Sequence, residues 1–464
     1  MPTALNKQGS KSYTVAFVVV TGLFFMWGFM TVLNDILIPY LKGVFDLNHT
    51  QAMFVQFAFF MAYFVGSAIY FFISITGGDP ISRIGYKNGI LAGLLISATG
   101  SALFYPAAEF QMYGFFLAAL FVMGLGFTLL QIAANPYVAI LGPEKSASSR
   151  LNLSQGFNSL GTTIGPLIGG FLIFKYFAGA NITGADAVKI PYIVFTGMFL
   201  LLAVLIKVSH LPRVTTGGDA IERTAGALKH PNLVFGALAI FFYVGGEVSI
   251  GSIMISYLGL ENIAGLGEAD ASTYVAFYWG GLMIGRFLGA ISLSQMKDMT
   301  LKYLLMLAVP LAAFLVIWYF SGIDHALIYG IFLIANLIAF MVGRSLAHRT
   351  LLIFALIAIV LLIIALTNQG QVAMWSVIGI GLFNSIMWSN IFTLSIEGLG
   401  RFKSQGSSLL VMMILGGAVV PVFQGMAADT YGVHASFFIP VICYAYIAFY
   451  GWRGYRRKIV EINR

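Results

Sequence analysis

Residues 15–40 read VAFVVVTGLFFMWGFMTVLNDILIPY. A helix crossing a bilayer needs about 20 mostly apolar residues. The apolar core of a secretory signal is shorter, about 7–15 residues, and is followed by a small-residue cleavage site. This stretch is too long for a signal and shows no convincing site. It reads as a first membrane helix that stays with the chain.

The rest of the chain repeats that pattern. Thirteen further apolar runs lie near 51–75, 88–108, 113–141, 150–175, 190–208, 233–258, 272–296, 302–321, 325–343, 350–367, 372–396, 406–428 and 434–452. Turn-type breaks separate them, among them Gly77-Gly78-Asp79-Pro80, Gly142-Pro143 and Asn368-Gln369-Gly370. The 464 residues are 59% hydrophobic and 9% charged, against about 25% charged in soluble globular chains. One cysteine rules out a disulfide scaffold, and six scattered histidines give no zinc ligand cluster. The fold class is an all-α polytopic membrane protein with 14 predicted spans, and nothing resembles a soluble domain.

The net charge of +8 sits in short flanks between apolar runs, which argues for topology signals and against nucleic-acid binding. With the N-terminus in the cytoplasm, 21 of the 25 Lys and Arg fall in cytoplasmic segments, Lys42, Lys175 and Lys189 fall outside, and Arg286 lies within a span. That asymmetry follows the positive-inside rule. One miscounted helix would destroy it, because every later loop would change sides. Both termini are therefore placed in the cytoplasm. Dropping one hairpin preserves the pattern, so twelve and fourteen spans both satisfy it.

Of 17 Asp and Glu, only Asp35 and Glu247 lie deep in apolar runs. An ionisable group there is costly and marks function by default. It can be carried neutral or can hold a cation; the structural alternative is a static pair with Arg286. Asn34 beside Asp35 suggests a hydrated cavity. Gln131 and Asn135 precede Pro136, where the helix is expected to loosen because proline cannot donate to the ladder. In the next run, Gln155 and Asn158 are three apart and share a helix face. Amides offer donors and acceptors together, as sugar hydroxyls require, although single amides in membranes also serve as interhelical glue. Trp27 and Trp388 can cover the C–H face of a sugar ring. Gly161, Gly165 and Gly169 make a close-packing face. The phosphate-cradling GxxxxGK[ST] loop and the G-x-S-x-G elbow are both missing, so neither direct ATP use nor serine hydrolysis is expected. No catalytic residue is assigned and the chain is not read as an enzyme.

Several stretches together resemble one family. They are Phe25-Met26-Trp27-Gly28 with Leu33-Asn34-Asp35-Ile36-Leu37-Ile38-Pro39, then Ala133-Ala134-Asn135-Pro136-Tyr137-Val138, Leu141-Gly142-Pro143-Glu144, Arg150-Leu151-Asn152-Leu153-Ser154-Gln155 and Phe157-Asn158-Ser159-Leu160-Gly161. The chain resembles the fucose/galactose/glucose cation symporters of the major facilitator superfamily over nearly its whole length except about 300–343. The resemblance implies two six-helix pseudo-symmetric bundles around a central sugar site, working by alternating access. It divides the chain into an N-terminal bundle (1–208), a cytoplasmic linker (209–232) and a C-terminal bundle (233–464) carrying an extra hairpin at about 300–343, expected on the periphery. It implies that Asp35 is a coupling carboxylate, that Trp27, Gln155, Asn158 and Arg286 line the cavity, and that an aromatic matches Trp388.

Two departures matter. The fucose transporters have a second coupling glutamate where this chain has Gln131, which cannot carry a proton; Gln131 fits the glucose/galactose branch. Glu247 stands where the fucose branch has a neutral amide, and it is expected to supply a second charge from the opposite bundle, either binding the cation with Asp35 or holding sugar hydroxyls. The substrate expected is glucose, galactose, fucose or N-acetylglucosamine, with Asn34 and Gln131 among its ligands. No cofactor is expected beyond the coupling cation, H+ or Na+; carboxylate and amide oxygens at Asp35 would suit sodium. The partners expected are a small sugar and the lipid bilayer, without nucleic acid, in a protein working as a monomer in the cell inner membrane. A drug/proton antiporter would have a greasier cavity, and a membrane receptor would need signalling appendages that the short tail after Trp452 does not offer.

Overall fold

The computed structural model describes residues 7–77, 80–141, 147–171, 184–209, 211, 226–292, 294, 296–344, 346–399 and 403–456. Its long helices, in chain order, are α1 (Lys7–Val44), α2 (His49–Thr76), α3 (Tyr86–Glu109), α4 (Tyr113–Ile140), α5 (Ala147–Gly170), α6 (Lys189–Val208), α7 (Pro231–Leu258), α8 (Glu268–Ser292), α9 (Met299–Ser321), α10 (Ile323–Gly343), α11 (Ala347–Thr367), α12 (Gly370–Ile396), α13 (Gly406–Tyr431) and α14 (Ala435–Gly454). Helices satisfy their own backbone groups, as a chain surrounded by hydrocarbon requires. Fourteen apolar spans were expected; among the described residues thirteen helices are long and apolar enough to cross a membrane, and α5 is not one of them. At 24 residues α5 is still about 36 Å long. It falls short in apolarity because Ser154, Gln155, Asn158, Ser159, Thr162 and Thr163 interrupt it, and it can carry them because α1 and α8 cover it.

Glycine explains that cover. A side chain at Gly161 would strike the Phe25 carbonyl and the Phe29 amide of α1; Gly165 meets Val32 and Gly169 meets Leu33. In return, Gly28 of α1 lies on the Asn158 carbonyl. This is small-residue packing, in which backbones touch because no Cβ stands between them. Helices α1–α6 pack together in one bundle, and α7, α8 and α11–α14 in a second. The bundles meet along α5 with α8, α2 with α13, and α1 with α7. On the α5–α8 seam Phe157 and Phe287 meet edge to face at 6.3 Å.

At one end of the interface the turns 45–48 and 432–434 come together. Asn48 and Gln51 form a capping box that starts α2. The Asp429 carboxylate of α13 reaches across to this helix start. It accepts from the His49 amide at 3.1 Å, the Thr50 amide at 3.0 Å and the Thr50 hydroxyl at 2.5 Å. A carboxylate is favoured at a helix N-terminus, where unpaired N–H groups point outward.

Helices α9 and α10 form a hairpin closed by Gly322, whose φ of +89° favours glycine. In the most apolar stretch of α9 only 11% of residues are buried. The hairpin packs sideways on α8, α11 and α12, tied by the Asn336 amide to the Leu382 carbonyl at 2.9 Å and the Tyr329 hydroxyl to the Phe277 carbonyl at 2.9 Å. The hairpin lies on the periphery, as expected.

Two of the interrupted helices border the cavity on the second bundle. Helix α12 runs Gly370–Asn384, breaks at Ser385 and Ile386, and resumes as Met387–Ile396. Helix α13 tightens into a 3-10 turn at Met413–Leu415. There Gly416 lies on the Phe241 carbonyl of α7 and Gly417 on the Phe60 ring of α2, so these glycines serve close packing. Helix α4 continues as helix through Pro136 to Ile140, where the sequence suggests loosening.

Candidate functional site: a polar cavity between the bundles

Where α1, α2, α4 and α5 face α7, α8, α12 and α13, a partly open cavity remains between the bundles. The first bundle contributes Trp27, Gln56, Tyr63, Gln131, Gln155 and Asn158; the second contributes Tyr243, Glu247, Trp279, Arg286 and Trp388. Seven residues singled out from sequence therefore line one space: Trp27, Gln131, Gln155, Asn158, Glu247, Arg286 and Trp388. Asn34 and Asp35 belong to α1, but their side chains lie outside the described residues, as does that of Asn152.

The first-bundle wall is built by short local links. The Asn158 amide donates to the Phe24 carbonyl of α1 at 2.9 Å, so this asparagine both glues α5 to α1 and presents itself to the cavity. Gln131 accepts from Asn135, four residues on, at 3.4 Å. Tyr63 lines the same wall as Gln131 and Trp27.

The second-bundle wall carries the charge. Glu247 is 8% exposed and accepts from the Tyr243 hydroxyl at 2.6 Å. Arg286 donates from Nε to the Ser385 carbonyl at 3.1 Å, and from Nη1 to the Gln155 carbonyl at 3.4 Å and to the Ser159 hydroxyl. One guanidinium thus joins the α12 break to α5 of the opposite bundle. The described ion pairs are those of Lys189 with Glu109 and Asp186, remote from the cavity. Glu247 and Arg286 share the cavity without a direct ion pair, which removes the static-pair alternative for Glu247. Trp388 stacks on Phe392 with centroids 5.0 Å apart.

Sequence reading missed Tyr63, Tyr243, Trp279 and the buried Asn384. Tyr243 was within reach, being four residues before Glu247 and so on the same helical face. Asn384, a polar residue in an apolar run, carries the same kind of signal as Gln131. Tyr63 stands in the aromatic run Phe59-Phe60-Met61-Ala62-Tyr63-Phe64, with nothing local to mark it.

Chemically, the described residues of the cavity offer aromatic faces, amides with both donor and acceptor capacity, one carboxylate and one guanidinium. This set suits a small polyhydroxylated ligand and an exchangeable proton. The Major Facilitator Superfamily profile matches residues 17–347. A glucose/galactose transporter of Brucella abortus biovar 1 (strain 9-941) is 43% identical over 456 residues, spanning 98% of this chain and 97% of the relative. The L-fucose-proton symporter of Escherichia coli (strain K12) is 31% identical over 464 residues, spanning 94% of this chain and 92% of the relative. Among solved structures, the transporter FucP in the outward conformation superposes with a TM-score of 0.67 at 29% identity, covering 95% of this chain and 99% of FucP. With a profile match across most of its length and relatives aligned nearly end to end, the chain belongs to the Major Facilitator Superfamily, in the group whose members are named glucose/galactose transporters and fucose–proton symporters.

Proposed function

We propose that this protein imports a hexose or hexose derivative together with protons, by alternating access of its two bundles around the cavity. The observation that carries the reading is the cavity itself. Amides and an indole stand on one bundle, a carboxylate and a guanidinium on the other, and the carboxylate is not locked in an ion pair. A sugar bridging the walls would hold both bundles. Support for sugar as cargo comes from the relatives' names, glucose/galactose transporter and L-fucose-proton symporter, and the second favours H+ over Na+. Residues 1–208 and 233–464 would move as units joined by 209–232, with the α9–α10 hairpin riding on the second. The lysine and arginine asymmetry puts both termini in the cytoplasm of a cell with this protein in its inner membrane, so the Asp429 contact closes the external side.

In this scheme Asp35 and Glu247 take the coupling protons, while Trp27, Asn34, Gln131, Gln155, Asn158, Arg286 and Trp388 hold the sugar. Occluding a bare carboxylate in a closed carrier is costly, so the empty, unprotonated carrier resists closing and the loaded one does not. The test is uptake of labelled glucose, galactose, fucose and N-acetylglucosamine into proteoliposomes under separately imposed proton and sodium gradients. Accumulation of one sugar on the proton gradient is expected. Accumulation on sodium alone overturns the proton, and no uptake of any sugar overturns the substrate class. Asp35→Asn is expected to abolish accumulation while sugar exchange persists. Loss of both in a normally folded variant contradicts a coupling role for Asp35.

A further inference from the structure

Tyr243 has one hydroxyl hydrogen and two acceptors. Its oxygen lies 2.6 Å from Glu247 Oε1 and 3.1 Å from the backbone carbonyl of Asn384. That carbonyl is the last before the α12 break. The next carbonyl, Ser385, is the one held by Arg286. The side chain of Asn384, fully buried, is spent on two other tyrosines: its amide donates to the Tyr278 hydroxyl at 2.8 Å, and its oxygen accepts from the Tyr444 hydroxyl at 2.7 Å. The Tyr278 hydroxyl donates to the Glu247 backbone carbonyl at 3.0 Å. Glu247 and the break are therefore fastened to one buried frame drawn from α7, α8, α12 and α14, and Tyr243 is the element in it with a choice of acceptor.

We infer that Tyr243 is a positioning residue that reports the proton occupancy of Glu247 to the break in α12. This rests on the proposed coupling role of Glu247. When Glu247 is ionised, the carboxylate takes the Tyr243 hydrogen, because a bond to a charged acceptor outcompetes one to a neutral carbonyl. When a proton from the aqueous cavity binds Glu247, the neutral carboxyl becomes a donor and gives its hydrogen to the Tyr243 oxygen. The tyrosine's own hydrogen then swings about the C–O bond to the Asn384 carbonyl. No proton leaves the tyrosine and none is gained by it; one proton has been added to Glu247 and one hydrogen bond has moved to the break. The break gains a partner on the residue next to the Arg286 contact, which spans to the other bundle. Proton binding at Glu247 is thereby read where the two bundles are joined.

The titratable and charged groups around Glu247 are few. Tyr243 comes from α7, Tyr278 and Arg286 from α8, and Tyr444 from α14. Helix α12 contains no titratable side chain, and those of α13, Asp429 and Tyr431, lie at its far end. The other carboxylates on the helices facing the cavity are Asp35 of α1 and Glu268 and Asp270, which stand in the first turn of α8.

Tyr243→Phe keeps the ring and removes the choice. In proteoliposomes it is expected to lower proton-driven sugar accumulation at least about tenfold, the scale of one hydrogen bond to a charged group. Sugar exchange, which needs no net proton movement, is expected to fall less than accumulation, although Tyr243 lines the cavity. Because Glu247 loses a donor to its charged form, the pH midpoint of transport is expected to move upward by about one unit. Tyr444→Phe, which removes a hydroxyl from the frame without touching the Glu247 carboxylate, is expected to leave that midpoint in place. Wild-type accumulation and an unmoved midpoint in Tyr243→Phe, beside an uncoupled Glu247→Gln, overturn the role of Tyr243 and leave that of Glu247 standing. Full coupling in Glu247→Gln overturns both. Equal midpoint shifts in Tyr243→Phe and Tyr444→Phe reduce Tyr243 to an ordinary member of the frame and overturn its special role. Should Tyr243→Phe fail to fold, acid-minus-alkaline infrared difference spectra of the wild-type protein with ring-deuterated tyrosine decide the matter. A tyrosine C–O band is expected to shift together with a carboxylic C=O band that is lost in Glu247→Gln; a carboxylic band without a tyrosine partner overturns the inference.

Discussion

Glu247→Gln is expected to abolish proton-driven accumulation while sugar exchange across the membrane continues. Glutamine keeps the shape of the side chain, and its amide N–H donates to the Tyr243 oxygen, 2.6 Å from the present Oε1, as a protonated carboxyl would. It cannot bind a proton. The cavity of the variant therefore resembles the protonated state at every pH, and the penalty for closing over a bare charge disappears. Each proton carried per sugar lets a gradient of two pH units multiply accumulation by about 100-fold; the variant should lose at least that factor. Counterflow of labelled against unlabelled sugar, which only asks the carrier to close when loaded, should continue at neutral pH and lose the part of its pH dependence that Glu247 contributes. Persistent uphill accumulation would remove Glu247 from the coupling scheme.

Arg286→Ala is expected to lower transport by about 100-fold or more. The guanidinium is 8% exposed and touches the Ser385 carbonyl, the Gln155 carbonyl and the Ser159 hydroxyl. Hydrogen bonds from a charged donor are each worth about 1.5–3 kcal/mol, and here they run to both bundles at once. Alanine leaves the carbonyl at the α12 break without its donor and Glu247 without a nearby positive charge. Arg286→Lys separates the two losses. It keeps the charge but has no planar fork, so it cannot serve acceptors on α12 and α5 together. A loss of about tenfold is expected for lysine, with the pH profile unchanged. Initial rates of uptake at saturating and limiting sugar, measured on variants matched for thermal stability, check both. Wild-type transport by the lysine variant would mean that charge alone matters at this position.

The helices were legible because lipid imposes one rule on every residue of a span. Runs of about 20 apolar residues can hardly be anything else, and the predicted limits fall within about five residues of the observed helices, except that α1 starts at Lys7 and not at 15. Helix α1 continues past the expected residue 40 to Val44, and the capping box of Asn48 and Gln51 adds a turn before the run at 51. The run at 150–175 ends as helix at Gly170, and residues 172–183 lie outside the described ones. Cavity residues were legible for the opposite reason: Gln131, Gln155, Asn158, Glu247 and Arg286 break the apolar rule, and each needs polar company.

What stayed hidden was whatever depends on distance in sequence. The α12 break has neither proline nor glycine at Ser385 and Ile386; it persists because Tyr243 and Arg286, 141 and 99 residues away, satisfy the carbonyls it frees. Tyr278 and Tyr444 are buried aromatics in runs full of aromatics, and only the folded chain brings them to Asn384, 106 and 60 residues distant. No local pattern announces a tyrosine whose partner lies on another helix.

The Asp429 contact has a consequence for how this chain tolerates change. Two of its three donors, at His49 and Thr50, are backbone amides. Replacing either side chain leaves those donors in place, provided the helix still starts there. Only Asp429 itself can be lost by a single substitution. Mutational risk at this contact is thus concentrated on one residue of one bundle, while the opposing surface is free to drift, an asymmetry that a pair of oppositely charged side chains would not give.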